Sequence, residues 1–323
     1  MKAGLQKNIL YTLTFFDLIG KPLTLFECWQ YLFNVFPLKS GASIVEIEDI
    51  LRKHPKVANF RGFYFLKGHR ELVDRRRREH NFSQVKWKRA RCVIRLLSYV
   101  PFVRMIAVCN TVAFDTAQKG SDIDFLILVQ NGKMWTTRFA VTLLVSLLGL
   151  RRHRRKITDR ICLSFYLADN CLDLSKVALR KENGAIDDPY LVYWASKVSP
   201  VYDEGRGEIF FSQNNWIRKY LPNYIPYSGV GRRIIRNNLS RQIWKKSIER
   251  LLRSILGNLG EDILKKLQLA KMSHNTKSVA REPNTKVIIS DQILKFHEQD
   301  LRGFYQGALD PSPRNDLNLI ERF

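Results

Sequence analysis

Residues 105–130 read MIAVCNTVAFDTAQKGSDIDFLILVQ, and this stretch decides the fold of the chain. Two short apolar runs, Met105–Val108 and Ile123–Val129, are rich in branched residues and bounded by polar residues. This pattern predicts neighbouring buried strands of one sheet. Between them, Thr111–Gln118 is long enough for a short helix, and Gly120 would close it as a C-cap glycine.

The second predicted strand opens with two carboxylates on alternate residues, Asp122 and Asp124. Side chains alternate along a strand, so both acids point to one face while Ile123 points to the other. Two carboxylates side by side repel, and that cost is tolerable where a divalent cation neutralises them. Mg²⁺, or Mn²⁺ in its place, is commonly held by such a pair together with substrate phosphates. Asp122 and Asp124 are therefore the candidate metal ligands.

This stretch resembles the nucleotidyltransferase superfamily, the fold shared by DNA polymerase beta, poly(A) polymerases, CCA-adding enzymes and aminoglycoside nucleotidyltransferases. The signature of that superfamily is a strand, Gly-Ser at a helix start, and Asp-x-Asp on the next strand. Asn110 and Thr111 stand here in place of Gly-Ser. Thr111 keeps the hydroxyl, and Asn tolerates positive φ better than most residues other than Gly.

The resemblance implies a metal-dependent enzyme that moves a nucleoside monophosphate from a nucleoside triphosphate to a hydroxyl acceptor, with RNA as one candidate acceptor. Asp122 and Asp124 would be the catalytic metal ligands, and Asn110, Thr111 and Ser121 would bind the triphosphate. The alternative is a catalytically degenerate protein of the same fold that binds nucleotide or RNA. A scaffold or antitoxin-like partner protein is the remaining hypothesis.

Most of the chain is also similar to uncharacterised bacterial proteins with a nucleotidyltransferase domain. The stretches that carry this similarity are Lys133–Arg152, Ile161–Leu167 and Asn215–Asn223. The similarity implies a fold and no substrate.

The predicted third strand, Ile161–Leu167, bears on whether the site is catalytic. In nucleotidyltransferases this strand usually carries a third carboxylate, which binds the metal that activates the attacking hydroxyl. Here it has Cys162 and Ser164 on one face, with Ser164 at the plausible position, and no acid at its centre. Asp159 and Asp169, which flank the strand, are the candidates. Without that carboxylate one metal would lack a ligand and the reaction a base.

The formal net charge of +24 over 323 residues attracts polyanions. RNA or another nucleic acid is the first candidate partner, an anionic membrane surface is the second, and a merely basic enzyme is the alternative. The arginines that would contact nucleic acid form two clusters, Arg75, Arg76, Arg77 and Arg78, then Arg151, Arg152, Arg154 and Arg155. Either cluster could instead be a solvated face, and the second could also lie near the triphosphate or the acceptor.

We expect an α+β fold in four segments. The sequence predicts a winged-helix-like module over residues 1–74 and a basic linking helix over residues 75–104. It predicts a mixed-sheet nucleotidyltransferase core over residues 105–180. The last segment, residues 181–323, is predicted to be a helical C-terminal region with a frayed tail from Gly307. In the first segment Ser43 and Glu46 form a capping box for a helix over Ile44–Lys53. That helix is acidic where DNA phosphates would demand Lys or Arg, so an interaction or packing role is at least as plausible as DNA reading.

Cysteine usage and hydropathy predict a cytoplasmic protein. The five cysteines are scattered and lack zinc spacing, so we expect reduced core residues. The most apolar run, Phe139–Leu150, is too short to span a bilayer and predicts a buried helix.

Overall fold

The computed structural model describes residues 2–37, 41–153, 155–227, 231–255, 257–273, 285–297 and 300–309. The fold is α+β, with a mixed sheet, as the sequence predicted. The helices are α1 (Lys2–Leu18), α2 (Leu25–Gln30), α3 (Ile44–Lys53), α4 (Glu71–Leu97), α5 (Asn110–Phe114), α6 (Met134–Leu147), α7 (Pro189–Lys197), α8 (Gly207–Gln213), α9 (Ile217–Tyr220), α10 (Leu239–Ile255), α11 (Gly257–Ser273) and α12 (Arg302–Ala308). The strands are β1 (Leu23–Thr24), β2 (Val57–Phe60), β3 (Phe63–Leu66), β4 (Val103–Cys109), β5 (Ile123–Val129), β6 (Ile161–Ala168), β7 (Ser199–Asp203), β8 (Val287–Ile289) and β9 (Ile293–Phe296).

The main sheet has six strands in the order β7-β4-β5-β6-β9-β8. Strands β5 and β6 are parallel, and every other neighbouring pair is antiparallel. The parallel pair needs a crossover, which α6 provides. The two apolar runs of residues 105–130 are therefore neighbouring strands, as predicted, and β5 is buried along its whole length.

Both faces of this sheet are covered. One face, with Met105 and Leu126, packs in a single core with α7 and with the N-terminal helices. The opposite face, with Ile106 and Phe125, packs against α4 and α6. The N-terminal segment therefore shares a core with the sheet.

The N-terminal segment contains three helices and a three-stranded antiparallel sheet of order β1-β3-β2. The predicted capping box is present at the start of α3, because the side chain of Ser43 accepts from the Glu46 N–H at 3.2 Å. The carboxylate of Glu46 in turn accepts from the Ser43 N–H at 2.8 Å.

The C-terminal half contains helices α7 to α12, and it also completes the main sheet. Strand β7 pairs with β4, and β9 pairs with β6. Strand β8 forms one edge of this sheet. The sheet therefore crosses the boundary that the sequence placed at residue 180.

One helix prediction was too long. The helix expected over Thr111–Gln118 ends at Phe114, because Asp115 takes a left-handed conformation with φ of 64°. Helices α8 and α9 are separated at Asn214, whose side-chain amide donates to the Leu172 carbonyl at 2.8 Å. In the predicted tail, Gly307 belongs to α12, and residues 310–323 lie outside the described residues.

Four of the five cysteines, all free, are buried, as expected, while Cys92 is exposed. Within the described part of the chain, no helix has both the length and the hydropathy to cross a membrane.

Helix α4 is less uniformly solvated than its basic sequence indicates. Lys86 is buried, and its ammonium donates to the carbonyl oxygens of Lys119 at 3.2 Å and Ser121 at 2.8 Å. It also pairs with Asp159, with 2.5 Å between Nζ and Oδ1. Val85, expected on the apolar stripe, is 62% exposed. Lys86 is thus a structural cation that fixes the turn before β5.

We expect Lys86→Met to lower the free energy of unfolding by about 3 kcal/mol, because two carbonyls and one carboxylate lose their donor. Urea denaturation measures the change. Lys88→Met is the matched control, since Lys88 is exposed on the same helix and should change stability by less than about 0.5 kcal/mol. Equal losses in the two variants would contradict the anchoring role of Lys86.

Candidate metal and nucleotide site

The two predicted metal ligands lie together at the start of β5. Asp124 pairs in register with Cys109 on β4 and with Cys162 on β6. One ligand atom each from Asp122, Asp124 and Cys162 lie within 4.8 Å of one another. The sequence predicted that Cys162 shares one face of the third strand with Ser164, but it did not identify Cys162 as part of the site.

A shift in strand register explains why Cys162, and not Ser164, lies opposite Asp124. Asp124 pairs with Cys162, whereas Leu126 pairs with Phe165. Strand β6 therefore carries one more residue than β5 between these pairs, which is a β-bulge. The expectation that Ser164 holds the position of the third carboxylate is wrong for this reason.

Neither flanking acid supplies the third carboxylate. Asp159 takes φ of 58° and binds Lys86 and Arg89. Asp169 follows the far end of β6, where it accepts from the Asn131 N–H at 2.9 Å and pairs with Arg206. Among the described residues, no third carboxylate joins Asp122 and Asp124.

Asn110 positions Asp124. It takes φ of 54°, in the left-handed region that Asn tolerates better than most residues other than Gly. Its side-chain carbonyl accepts from the indole N–H of Trp194, and its side chain lies close enough to Asp124 to lower the pKa of that carboxyl. The Asn110 amide is therefore held between helix α7 and the acid pair.

A cavity of about 400 Å³ brings together three predicted ligand-binding residues, Thr111, Ser121 and Arg75. The hydroxyl of Thr111 is buried and has no hydrogen-bond partner in the described part of the chain. Tyr190 and Tyr305 also line the cavity, and their rings stack with centroids 5.0 Å apart. The cavity therefore combines polar donors with an aromatic wall.

Burial and the neighbouring charge of Asp122 act on Asp124. Together they raise the pKa of Asp124 to about 7, while Asn110, Cys162 and Arg152 lower it. Burial also raises the pKa of the Cys162 thiol, which therefore stays protonated at neutral pH. Asp124 is thus partly protonated near neutral pH.

Arg152 lies at the acid pair. Its Nη1 is 3.0 Å from Oδ2 of Asp122 and donates to the sulfur of Cys162 at 3.5 Å. Oδ2 of Asp122 is buried and has this ion pair but no hydrogen bond among the described residues. The sequence left Arg152 either on a nucleic-acid surface, in a solvated face, or near the triphosphate or acceptor, and the structure places it beside the acid pair.

The remaining arginines of the two clusters divide by burial. Arg75 pairs with Glu79 at 2.7 Å, and Arg76 pairs with Glu27 at 2.6 Å, so both have structural partners. The side chains that stay exposed are those of Arg77, Arg78, Arg151 and Arg155. Arg154 lies outside the described residues.

No family model matches the chain, and neither a curated protein nor a solved structure matches it. A function for this protein must therefore be proposed from the geometry of the site.

Proposed function

We propose that this protein is a metal-dependent nucleotidyltransferase, which moves a nucleoside monophosphate from a nucleoside triphosphate to a hydroxyl acceptor. One observation carries the proposal. The fold brings the carboxylates of Asp122 and Asp124 together at a strand end, and Thr111 and Ser121 line a cavity of about 400 Å³ nearby. Paired acids near the unpartnered hydroxyl of Thr111 fit a metal-bound triphosphate.

The donor set fits one hard divalent cation. Asp122 and Asp124 offer carboxylate oxygens, and Oδ2 of Asp122 is buried without a hydrogen bond. Cys162 does not fit Mg²⁺, because a neutral thiol is a soft and weak ligand for it. Mg²⁺ or Mn²⁺, when bound, would supply charge that stabilises the departing pyrophosphate.

The protein's own residues then bind and orient the triphosphate. Asn110 holds Asp124 in place through its side chain. The hydroxyl of Thr111, which has no protein partner among the described residues, donates to a phosphate oxygen in the cavity. Arg75 lines the same cavity and adds positive charge, although its Nε is engaged by Glu79.

A catalytically degenerate nucleotide- or RNA-binding protein is the second candidate. The position opposite Asp124 holds Cys162, and both flanking acids have other partners. Without a third acid nothing in the described site lowers the pKa of the attacking hydroxyl. Incubation with each labelled nucleoside triphosphate, Mg²⁺ or Mn²⁺, and mixed RNA and protein acceptors distinguishes transfer from binding alone.

The other expectations from the sequence remain part of this proposal. The arginines of the two clusters that remain available to bind nucleic acid are the exposed ones, Arg77, Arg78, Arg151 and Arg155. We also retain the proposal of a cytoplasmic location. The N-terminal order of three helices and a hairpin matches a winged helix. Its third helix engages its own charges, with Glu48 and Arg52 2.6 Å apart, which favours packing or protein interaction over DNA reading.

We expect Asp122→Asn and Asp124→Asn each to lower the affinity for Mg-ATP by about tenfold or more, since each removes a charged ligand. Titration calorimetry measures the affinity, and circular dichroism checks the fold. Asp74→Asn, which removes an exposed carboxylate on α4, is the matched control and should bind as wild type does. Wild-type affinity in both site variants would rule out the metal assignment.

Metal binding should also depend on pH, because the pKa of Asp124 is raised to about 7. The proton must leave before the carboxylate can bind a cation, so Mn²⁺ affinity should rise about tenfold per pH unit up to about pH 7 and then level off. The folding linkage has the opposite sign. The folded state holds this proton more tightly than the unfolded chain, so this contribution to stability is lost as pH rises from about 4 to 7. Asp124→Asn should remove both dependences, and their persistence would assign them to another group.

Turnover by the wild-type protein should be slow, below about 1 per second, because the third carboxylate is missing. Cys162→Asp places an acid opposite Asp124 and should raise the transfer rate at least about tenfold. Ser164→Asp should raise it less, because the bulge removes Ser164 from that position. Asp159→Asn should leave transfer unchanged while lowering stability. A fast wild-type reaction that Cys162→Asp does not accelerate would show that the site is complete without this acid.

A further inference from the structure

A second polar cavity adjoins the acid pair through Arg152 and Cys162, which lie beside the two acids and also line the cavity. Its volume is about 490 Å³, and its lining includes Arg138, Thr142, Arg151, Arg152, His153 and Ser164. None of the lining residues is acidic. The lining is therefore cationic, with hydroxyl donors beside the guanidinium groups.

Arg138, on helix α6, is the least compensated of these cations. Its Nη1 donates to the side-chain carbonyl of Gln268 at 2.6 Å, and its guanidinium carbon is 5.1 Å from the ring centroid of Phe296. Its Nε is buried without a hydrogen-bond partner, and no described carboxylate forms an ion pair with it. Burial lowers the pKa of Arg138, and the charge of Arg151 lowers it further.

Such a set of cations is complementary to a phosphate group. Partly buried charges are normally paired, and guanidinium groups bind phosphate oxygens through parallel, charge-assisted hydrogen bonds. Arg151 is exposed, and within the described ranges it has no acidic partner either. A phosphate in this cavity would neutralise both arginines at once.

The second cavity is separate from the first. Thr111 and Ser121 line the first cavity, whereas Cys162 and Arg152 line the second, and no described residue lines both. Arg152 lies 3.0 Å from the carboxylate of Asp122, and Cys162 pairs in register with Asp124. A second phosphate-bearing ligand would therefore occupy a space of its own beside the acid pair.

We propose that Arg138 and Arg151 bind a phosphate group of the acceptor, so that the hydroxyl acceptor is itself a phosphate ester. This inference rests on the proposed function, because there is an acceptor only if the protein transfers a nucleotide. A terminal phosphate of an oligonucleotide and a small sugar phosphate share the chemistry required. His153, Thr142 and Ser164 surround the same space and would contact the ester next to its phosphate.

Calorimetric titration with inorganic phosphate at constant ionic strength tests the anion site. Arg138→Gln and Arg151→Gln should each lower phosphate affinity about tenfold or more, as expected for the loss of a charge-assisted hydrogen bond. Arg250→Gln is the matched control, because it removes one exposed guanidinium on α10, outside the cavity, and should leave the affinity unchanged. Arg151 is exposed, so its variant should fold even if Arg138→Gln does not.

Phosphate affinity equal to wild type in the Arg151→Gln and Arg138→Gln variants, or an equal loss in Arg250→Gln, would overturn the site. Competition with phosphate by ribose 5-phosphate but not by a 5′-phosphorylated oligoribonucleotide supports a small acceptor, and competition by the oligonucleotide supports a nucleic-acid end. Mg-ATP binding is measured separately in all variants. If phosphate binding needs Arg138 while Mg-ATP does not bind, the proposed function and the acceptor assignment fail, and the anion site stands.

Discussion

The complete burial of strand β5 determines how the helices of the fold are arranged around the sheet. Every residue of β5 is buried, so the sheet must be covered on both faces. Helices α4 and α6 cover one face, and α7 with the N-terminal helices covers the other. This double cover fixes the start of β5, where Asp122 and Asp124 lie, against α5 and α7. The site is therefore built by elements from three distant parts of the chain.

Burial also decides the chemistry of the acid pair. Two carboxylates this close and this little hydrated cannot both be charged without a neighbouring cation. Arg152 and the side chain of Asn110 reduce the repulsion between the two carboxylates, and the raised pKa of Asp124 leaves that acid partly neutral. In the proposed function, a bound cation would take over the role of Arg152 and of the raised pKa.

The two cavities beside the acid pair differ in their linings. Hydroxyl groups and one arginine line the first cavity, while three arginines and no acidic residue line the second. Because no described residue lines both cavities, the two substrates of the proposed reaction would not compete for the same space. The bulge in β6, which moves Ser164 and brings Cys162 opposite Asp124, leaves the β6 side without the acid that a fast reaction would require.

The sequence by itself determined the local features. Branched apolar runs predicted β4 and β5, the alternation of side chains placed Asp122 and Asp124 on one face, and the capping box located α3. The partners of charged residues depend on the tertiary structure. In the sequence, Lys86 and Arg152 look like solvated cations, and only the fold brings the carboxylates of Asp159 and Asp122 to them. It also decided strand neighbours and register: β7, β8 and β9 join from beyond residue 180, and the bulge selects Cys162 over Ser164. Periodicity reports which face a residue occupies, whereas non-local pairing depends on contacts that no short window of sequence contains.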